Sequence, residues 1–302
     1  YQVPASLVDE NGEESEFIGP RLFIAKRMKE IESGHESLRL VWPTKDGWCE
    51  GDIARSHFVQ KRRLLTILAG LGGPVSESNI KNVQSFLVES EELNADILPI
   101  VYRSPRLGWH KIGESRAFLF GYTALGAEGD GLELEFAPSS AEANRLASGF
   151  RAQGEFEAWK AAYALNAAYP HAQLAVFASL SAALILPLEA PNLMIDFSNE
   201  ASSGKTTILR LAASVWGQPS ESQADSILGS WNATPTAIQA RAGLLRNLPL
   251  LLDDTKRVGD PKKLAQIVYD LYSGQSAARG TSNGEARTIR VWATSFLSNG
   301  EA

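Results

Sequence analysis

The chain has 302 residues, enough for two domains, and its 44% hydrophobic and 21% charged content is ordinary for a globular protein. A net charge of −6 excludes a surface coated in basic charge for nucleic acid, so any DNA contact must be local or arise where subunits converge. The single cysteine, Cys49, excludes an intrachain disulfide framework and suits a reducing, cytoplasmic compartment; His35, His57, His110 and His171 are too scattered to suggest a metal cluster.

Residues 1–20 are polar and acidic and read as a lead-in. Leu22 to Met28, Ser37 to Trp42 and Trp48 to Ile53 alternate or carry β-branched and aromatic residues, so strands are expected there. Thr44-Lys45-Asp46-Gly47 is a hairpin turn between the last two, with Asp-Gly as its signal. Ser56 is placed to cap a helix running to about Leu71, with Leu64, Ile67, Leu68 and Leu71 on its buried face and Gly72-Gly73-Pro74 as its stop. Ser78 starts a further helix with Ile80, Val83 and Leu87 on one side. Lys61-Arg62-Arg63, with Arg55 nearby, reads either as a solvated helix face or as a contact for a phosphate backbone.

Ile97 to Tyr102, Ala117 to Gly121 and Leu132 to Phe136 read as strands. Trp109, between the first two, is expected in core packing in preference to a base-stacking platform. Glu133 and Glu135 alternate with Leu132, Leu134 and Phe136 as the wet face of a strand. The pattern turns helical from Glu142, and Pro170 separates two helices. Leu174 to Leu188 is the most apolar run; it is too short to span a bilayer and reads as a buried helix.

Next, the apolar run from Leu193 stops at Ser198, a loop of small and polar residues follows, and Gly204-Lys205-Thr206 opens an amphipathic helix ending near Trp216. Strand, loop, Gly-Lys-Thr and helix in that order is the context of a phosphate-binding loop. Backbone N–H groups of the loop and the helix dipole would favour the phosphates' negative charge. Gly204 would let the backbone approach, Lys205 would reach the β- and γ-phosphates, and the Thr206 hydroxyl would hold Mg2+. Asn199 stands where the usual pattern has its first glycine, and Asn tolerates a left-handed backbone. The competing reading is a solvated turn capped by Ser202 or Ser203. Ile208, Leu211, Ala212 and Val215 are the expected buried stripe of the helix.

Residues 220–231 read as a polar connection, and Thr234 to Leu245 as a helix. Leu248 to Leu252 is an apolar strand ending in Asp253-Asp254. The first carboxylate could share the Mg2+ shell with Thr206, and the second could polarise a water. Lys262 to Tyr272 reads as a helix. Asn283-Gly284 then signals a hairpin, followed by a buried strand from Thr288 to Leu297 with Ser298-Asn299 at its end. Asn299 is the candidate to orient the water or sense the γ-phosphate. Arg279, Arg287 and Arg290 make the hairpin region locally basic, as an exposed hairpin or as a DNA contact.

Several of these stretches resemble the family catalogued as domain of unknown function 927, found in phage, plasmid and genomic-island proteins. They are Gly108-Trp109, Ser202-Ser203-Gly204-Lys205-Thr206-Thr207, Ala213 to Gly217, Trp231-Asn232-Ala233-Thr234, Leu252-Asp253-Asp254 and Leu297 to Glu301. The resemblance implies an AAA+-type ATPase, akin to the hexameric replicative helicases of mobile elements. It implies ATP at Ser203 to Thr207, Mg2+ near Thr206 and Asp253, a sensor at Asn299 and a subunit-bridging arginine, assigned to Arg279. This chain departs from the family at Asp254, usually Glu, and at Gln239, where an acidic residue is common.

The expected fold is therefore α/β, with an AAA+/RecA-like P-loop domain preceded by a smaller α+β domain. Residues 1–137 form the first domain, 138–188 a helical connector and 189–302 the P-loop domain. The chain, starting at Tyr1 and stopping at Ala302, is expected to be a piece of a longer protein. The nucleotide site is assigned to Asn199, Ser202, Ser203, Gly204, Lys205, Thr206 and Thr207. Lys205, Asp254, Asn299 and Arg279 are the catalytic set, Thr206 and Asp253 the metal ligands, and Arg287 and Arg290 the DNA contacts. The expected activity is ATP hydrolysis by a homo-oligomeric ring, with a hexamer as one option, moving single-stranded DNA. The alternative is a nucleotide-switched DNA-binding or loader module with little turnover.

Overall fold

The structure is a computed structural model describing residues 6–8, 14–16, 21–126, 131–200, 203–276 and 289–301. Ser202, Arg279, Arg287 and the hairpin expected at residues 282–285 lie outside the described residues. Two compact units are present, residues 1–104 with 128–134, and residues 105–127 with 135–302.

In the first unit β1 (Ser6–Val8) pairs antiparallel with β2 (Glu14–Glu16), within the stretch expected to be a lead-in. β3 (Phe23–Glu30), β4 (Glu36–Thr44) and β5 (Gly47–Ala54) form a meander turning at Lys45-Asp46 as expected. The expected single helix from Ser56 is two pieces, α1 (Arg55–Phe58) and α2 (Lys61–Gly70), because the chain turns at Val59-Gln60. α3 (Ile80–Leu93) and β6 (Ile100–Ser104) follow, β6 running parallel to β3. Leu40, Trp42, Ile53, Leu64, Leu68 and Leu87 are fully buried at the centre of this core, whereas Leu71 is exposed. Lys61, Arg62 and Arg63 lie on the solvated face of α2, and Arg55 is ion-paired with Glu91.

The second unit begins with an antiparallel sheet of β7 (Gly108–Ile112), β8 (Ser115–Phe120) and β9 (Thr123–Leu125). β7 includes Gly108-Trp109-His110, read from sequence as a stretch between strands. Residues 105–127, counted with the first domain from sequence, group with the second unit because Asn247 captures β7. Its Oδ1 accepts the Trp109 N–H at 3.0 Å, and the Leu244 carbonyl accepts the Leu107 N–H at 2.8 Å. Trp109 packs as expected, edge-on to Phe118 with its indole N–H on the Ala183 carbonyl at 2.7 Å.

β10 (Glu133–Phe136) carries the chain between the units and borders β6, completing the sheet order β10-β6-β3-β4-β5. Helices α4 (Ala141–Gly149), α5 (Phe156–Ala164) and α6 (Pro170–Ile185) follow, α4 capped by the Ser140 hydroxyl on the Ala143 N–H. α6 is buried on one side only. Ala172, Ala175, Ser179 and Ala182 face inward, while Phe177 and Leu184 are 60% and 54% exposed, so the apolar run is not a wholly buried helix. No helix among the described residues is long and apolar enough to cross a membrane.

The remaining elements build a second sheet: β11 (Leu193–Ser198), α7 (Lys205–Ser214), β12 (Gly229–Ser230), α8 (Pro235–Leu245), β13 (Leu250–Asp253), α9 (Pro261–Tyr272) and β14 (Ser295–Gly300). All its pairings are parallel, in the order β11-β14-β13-β12. Parallel strands need a crossover each, which the intervening helices supply. β14 is buried along its whole length, as a central parallel strand must be. The buried stripe of α7 is Leu209, Ala212 and Ala213, one residue out of phase with the stripe expected for most of its positions. Ser179 locks α6 to α7, donating to the Ala212 carbonyl at 3.0 Å and accepting the Trp216 indole N–H at 2.7 Å.

Candidate functional site

The C-terminal tips of β13 and β14 and the start of α7 converge on a cavity of about 430 Å3 lined by Lys205, Thr206, Asp253, Asp254, Asn299 and neighbours. Open parallel sheets bind ligands at this edge, because strand ends and helix N-termini meet there.

Gly204 leads α7 with φ +87°, a left-handed conformation that a side chain would strain. That kink starts the helix and leaves Lys205 as its first residue. The Lys205 Nζ donates to the carbonyls of Asn199 at 2.8 Å and Glu200 at 2.6 Å, so the ammonium lies across the loop. Ser203 donates to the Glu200 carbonyl at 2.9 Å. Asn199 does not take the expected left-handed backbone; its Oδ1 instead accepts the Glu200 N–H at 2.8 Å. Thr207 lies on the exposed side of α7's first turn and also lines the cavity.

Thr206, Asp253 and Asn299 form one hydrogen-bonded cluster. The Thr206 hydroxyl donates to Asp253 Oδ1 at 3.1 Å, and Asn299 Nδ2 donates to the same oxygen at 2.7 Å. Asn299 Nδ2 also lies 3.3 Å from Thr206 Oγ1, and its Oδ1 accepts the Asp254 N–H at 2.7 Å. A backbone N–H can only donate, so the amide orientation is fixed: the oxygen faces Asp254 and the donor faces the carboxylate. Thr206 and Asp253 bring a hydroxyl and a carboxylate oxygen within 3.1 Å, the hard oxygen donors that Mg2+ prefers. These two residues fit the metal role.

Asp254 sits differently from Asp253. Its φ is +66°, unusual for a residue with a side chain, and it precedes a 3-10 turn (Thr255–Val258). Its Oδ2 accepts Arg257 Nε at 2.9 Å. Sequence reasoning missed this partner; Arg257, three residues on, was the available signal. Gln239, by contrast, lies away from the cluster. It is buried and donates to Asp270 at 3.2 Å, tying α8 to α9. Arg290 is half-buried with its stem against Gly243 and does not join this cavity.

A four-stranded parallel sheet with a glycine-led helix after one strand and a carboxylate at the tip of another defines a mixed α/β, P-loop-like fold. The chain belongs to the family described as Domain of unknown function (DUF927), which matches residues 6–291. Among solved structures it is similar to one described as "SCCmec type IV Cch - active helicase", with a TM-score of 0.67 at 18% identity. That likeness covers 100% of this chain and 55% of the other, so this chain spans about half of its length. At such identity the likeness is one of fold. No curated protein matches.

Proposed function

We propose that this chain is an ATP-hydrolysing P-loop motor, a ring-forming helicase acting on single-stranded DNA of a phage, plasmid or genomic island. One observation carries the reading: Thr206, Asp253 and Asn299 are joined by hydrogen bonds inside a cavity that Lys205 also lines. The family membership and the mobile-element helicase of like fold support it.

In this reading the loop from Asn199 through Ser202, Ser203 and Gly204 to Thr207 wraps the phosphates with its N–H groups. Lys205 leaves its loop carbonyls and neutralises charge on the β- and γ-phosphates. Mg2+, when held by Thr206 and Asp253, would supply further charge neutralisation there. Asn299 fixes the Asp253 carboxylate and reaches toward the γ-phosphate position. Asp254 orients the attacking water while Arg257 steadies one of its oxygens. Arg279 of a neighbouring subunit would complete the site, and Arg287 and Arg290 would contact DNA.

The test is DNA-stimulated ATP hydrolysis by Lys205→Ala. Loss of hydrolysis with the fold retained is expected. Turnover equal to that of the unmutated chain would remove the P-loop from the mechanism.

A further inference from the structure

Away from the Lys205 cavity, α4 and α8 enclose a cleft of about 860 Å3. Four arginines line it, Arg106, Arg145, Arg241 and Arg290, against a single carboxylate, Glu142. A smaller cavity of about 410 Å3 shares Glu142, Arg145, Gly229, Ser230 and Arg241 with it and is also lined by Glu221 and Asp253.

Arg241 is the telling residue. Its Nη2 donates to the Ile227 carbonyl at 2.7 Å, but its Nε–H is sealed from solvent and makes no hydrogen bond. Among the described residues no carboxylate forms an ion pair with it, and Glu142 is already paired with Arg145. Burial pulls the Arg241 pKa down to about 10, with Glu142 opposing and Arg145 adding to the shift. A Cβ at position 229 would stand 3.3 Å from the Arg241 Nε, so Gly229 brings bare backbone against the guanidinium edge. Arg241 as a whole is half-buried with its Nε enclosed, and the carboxylate that acts on it, Glu142, is shared with Arg145; guanidinium groups match phosphate oxygens in shape and charge.

We propose that this cleft binds the phosphate group of a nucleotide unit, with Arg241 at its base and Arg145 and Arg290 at its sides. The phosphate supplies negative charge to a cleft in which four arginines face one carboxylate. Leu146, Leu228, Ile238, Leu244 and Leu252 give the cleft an apolar lining that suits a sugar and base better than a bare ion. The unit could belong to a nucleic-acid strand or to a free nucleotide. Lys205 lines neither cavity, although Asp253 and Arg257 of the candidate site line the smaller one, and the Lys205→Ala parent keeps the two readings separable.

The experiment has two arms. Labelled oligothymidylate binding is followed by fluorescence anisotropy over a range of salt, and AMP binding by calorimetry. Both use Lys205→Ala as the parent, so that P-loop binding does not contribute. Arg145→Ala and Arg241→Gln are each added to that parent. Each is expected to weaken one probe about tenfold, and on the oligonucleotide arm to flatten the salt dependence by about one phosphate contact. Loss on the oligonucleotide arm assigns the cleft to a strand; loss on the AMP arm assigns it to a free nucleotide. No binding of either probe by the parent, or unchanged binding of both in the folded variants, overturns the proposal. Should Arg241→Gln fail to fold, the surface substitution Arg145→Ala decides alone. ATP hydrolysis by Lys205→Ala, measured separately, reports on the P-loop reading and on nothing in this cleft.

Discussion

Asn299 is 2% exposed, and its amide holds the candidate site together. Asn299→Asp keeps the shape of the side chain and the acceptor for the Asp254 N–H, but turns the donor 2.7 Å from Asp253 Oδ1 into a second anionic oxygen. Losing a hydrogen bond to a charged acceptor costs about 1.5–3 kcal/mol. Two negative charges about 4 Å apart repel by about 4 kcal/mol at an effective dielectric of 20. Asp253 is partly open to the cavity, so solvent screens part of that repulsion, and an overall loss of about 3–5 kcal/mol is expected. Asn299→Ala removes the donor without adding charge and should lose only about 2–3 kcal/mol. Urea denaturation at neutral pH and low salt checks the order: unmutated chain, then Asn299→Ala, then Asn299→Asp. Millimolar Mg2+ should recover stability in Asn299→Asp more than in Asn299→Ala, because the added carboxylate is a strong oxygen ligand. Equal urea midpoints for Asn299→Asp and the unmutated chain would refute the reasoning, since Asp253 would then carry no charge facing position 299.

Two further outcomes follow from close packing and from burial. A Cβ on Gly300 would stand 1.9 Å from Thr255 Oγ1, so Gly300→Ala should lower stability by about 1–3 kcal/mol in thermal denaturation, and adding Thr255→Ala should return much of it. His110 is buried, its pKa lowered to about 4 by burial and by Arg246, against an ordinary 6.5. The unfolded chain therefore takes up the proton first as the pH falls: the stability held by neutral His110 is complete above pH 6.5 and lost toward pH 4, at about 1.4 kcal/mol per pH unit. Urea midpoints between pH 7 and 5 should fall less steeply in His110→Gln.

Much of the candidate site was legible because its residues sit where local chemistry dictates conformation. Gly204 before Lys205 reads as a kinked helix start, and it is one. The apolar run into Asp253 reads as a parallel strand with a polar tip. The pairing of Asp254 with Arg257 needed the left-handed backbone at Asp254, which no pattern of apolar residues reports. The phase of α7 slipped by one position: Leu209, Ala212 and Ala213 are buried, while Ile208, Leu211 and Val215 are only partly so. α6 misled for the opposite reason: apolar residues all round suggest burial, yet its Leu174 and Phe177 side is open to solvent. Arg241 left no signal at all. A lone arginine in an Ala-rich helix reads as a solvated face, and only the fold closes Ile227 and Gly229 around it.

Register explains why Thr206, Asp253 and Asn299 meet. Leu251 stands beside Leu297 and Leu252 beside Ser298 in the parallel pairing of β13 with β14, so Asp253 and Asn299 fall on the face shared by Leu251 and Leu297. Phe197 pairs with Asn299 on the other side, bringing β11 and the loop after it to the same edge. Ser298 points to the opposite face, where it accepts the Trp231 indole N–H at 2.8 Å. A slip of one residue in β14 would undo this: in one direction Ser298 would face Asp253 and Leu297 would meet Trp231, in the other Gly300 would face Asp253 and Asn299 would meet Trp231. The buried tryptophan thus acts as a lock on the amide: its hydrogen bond to Ser298 is satisfied only in the register that presents Asn299 to both Asp253 and Thr206.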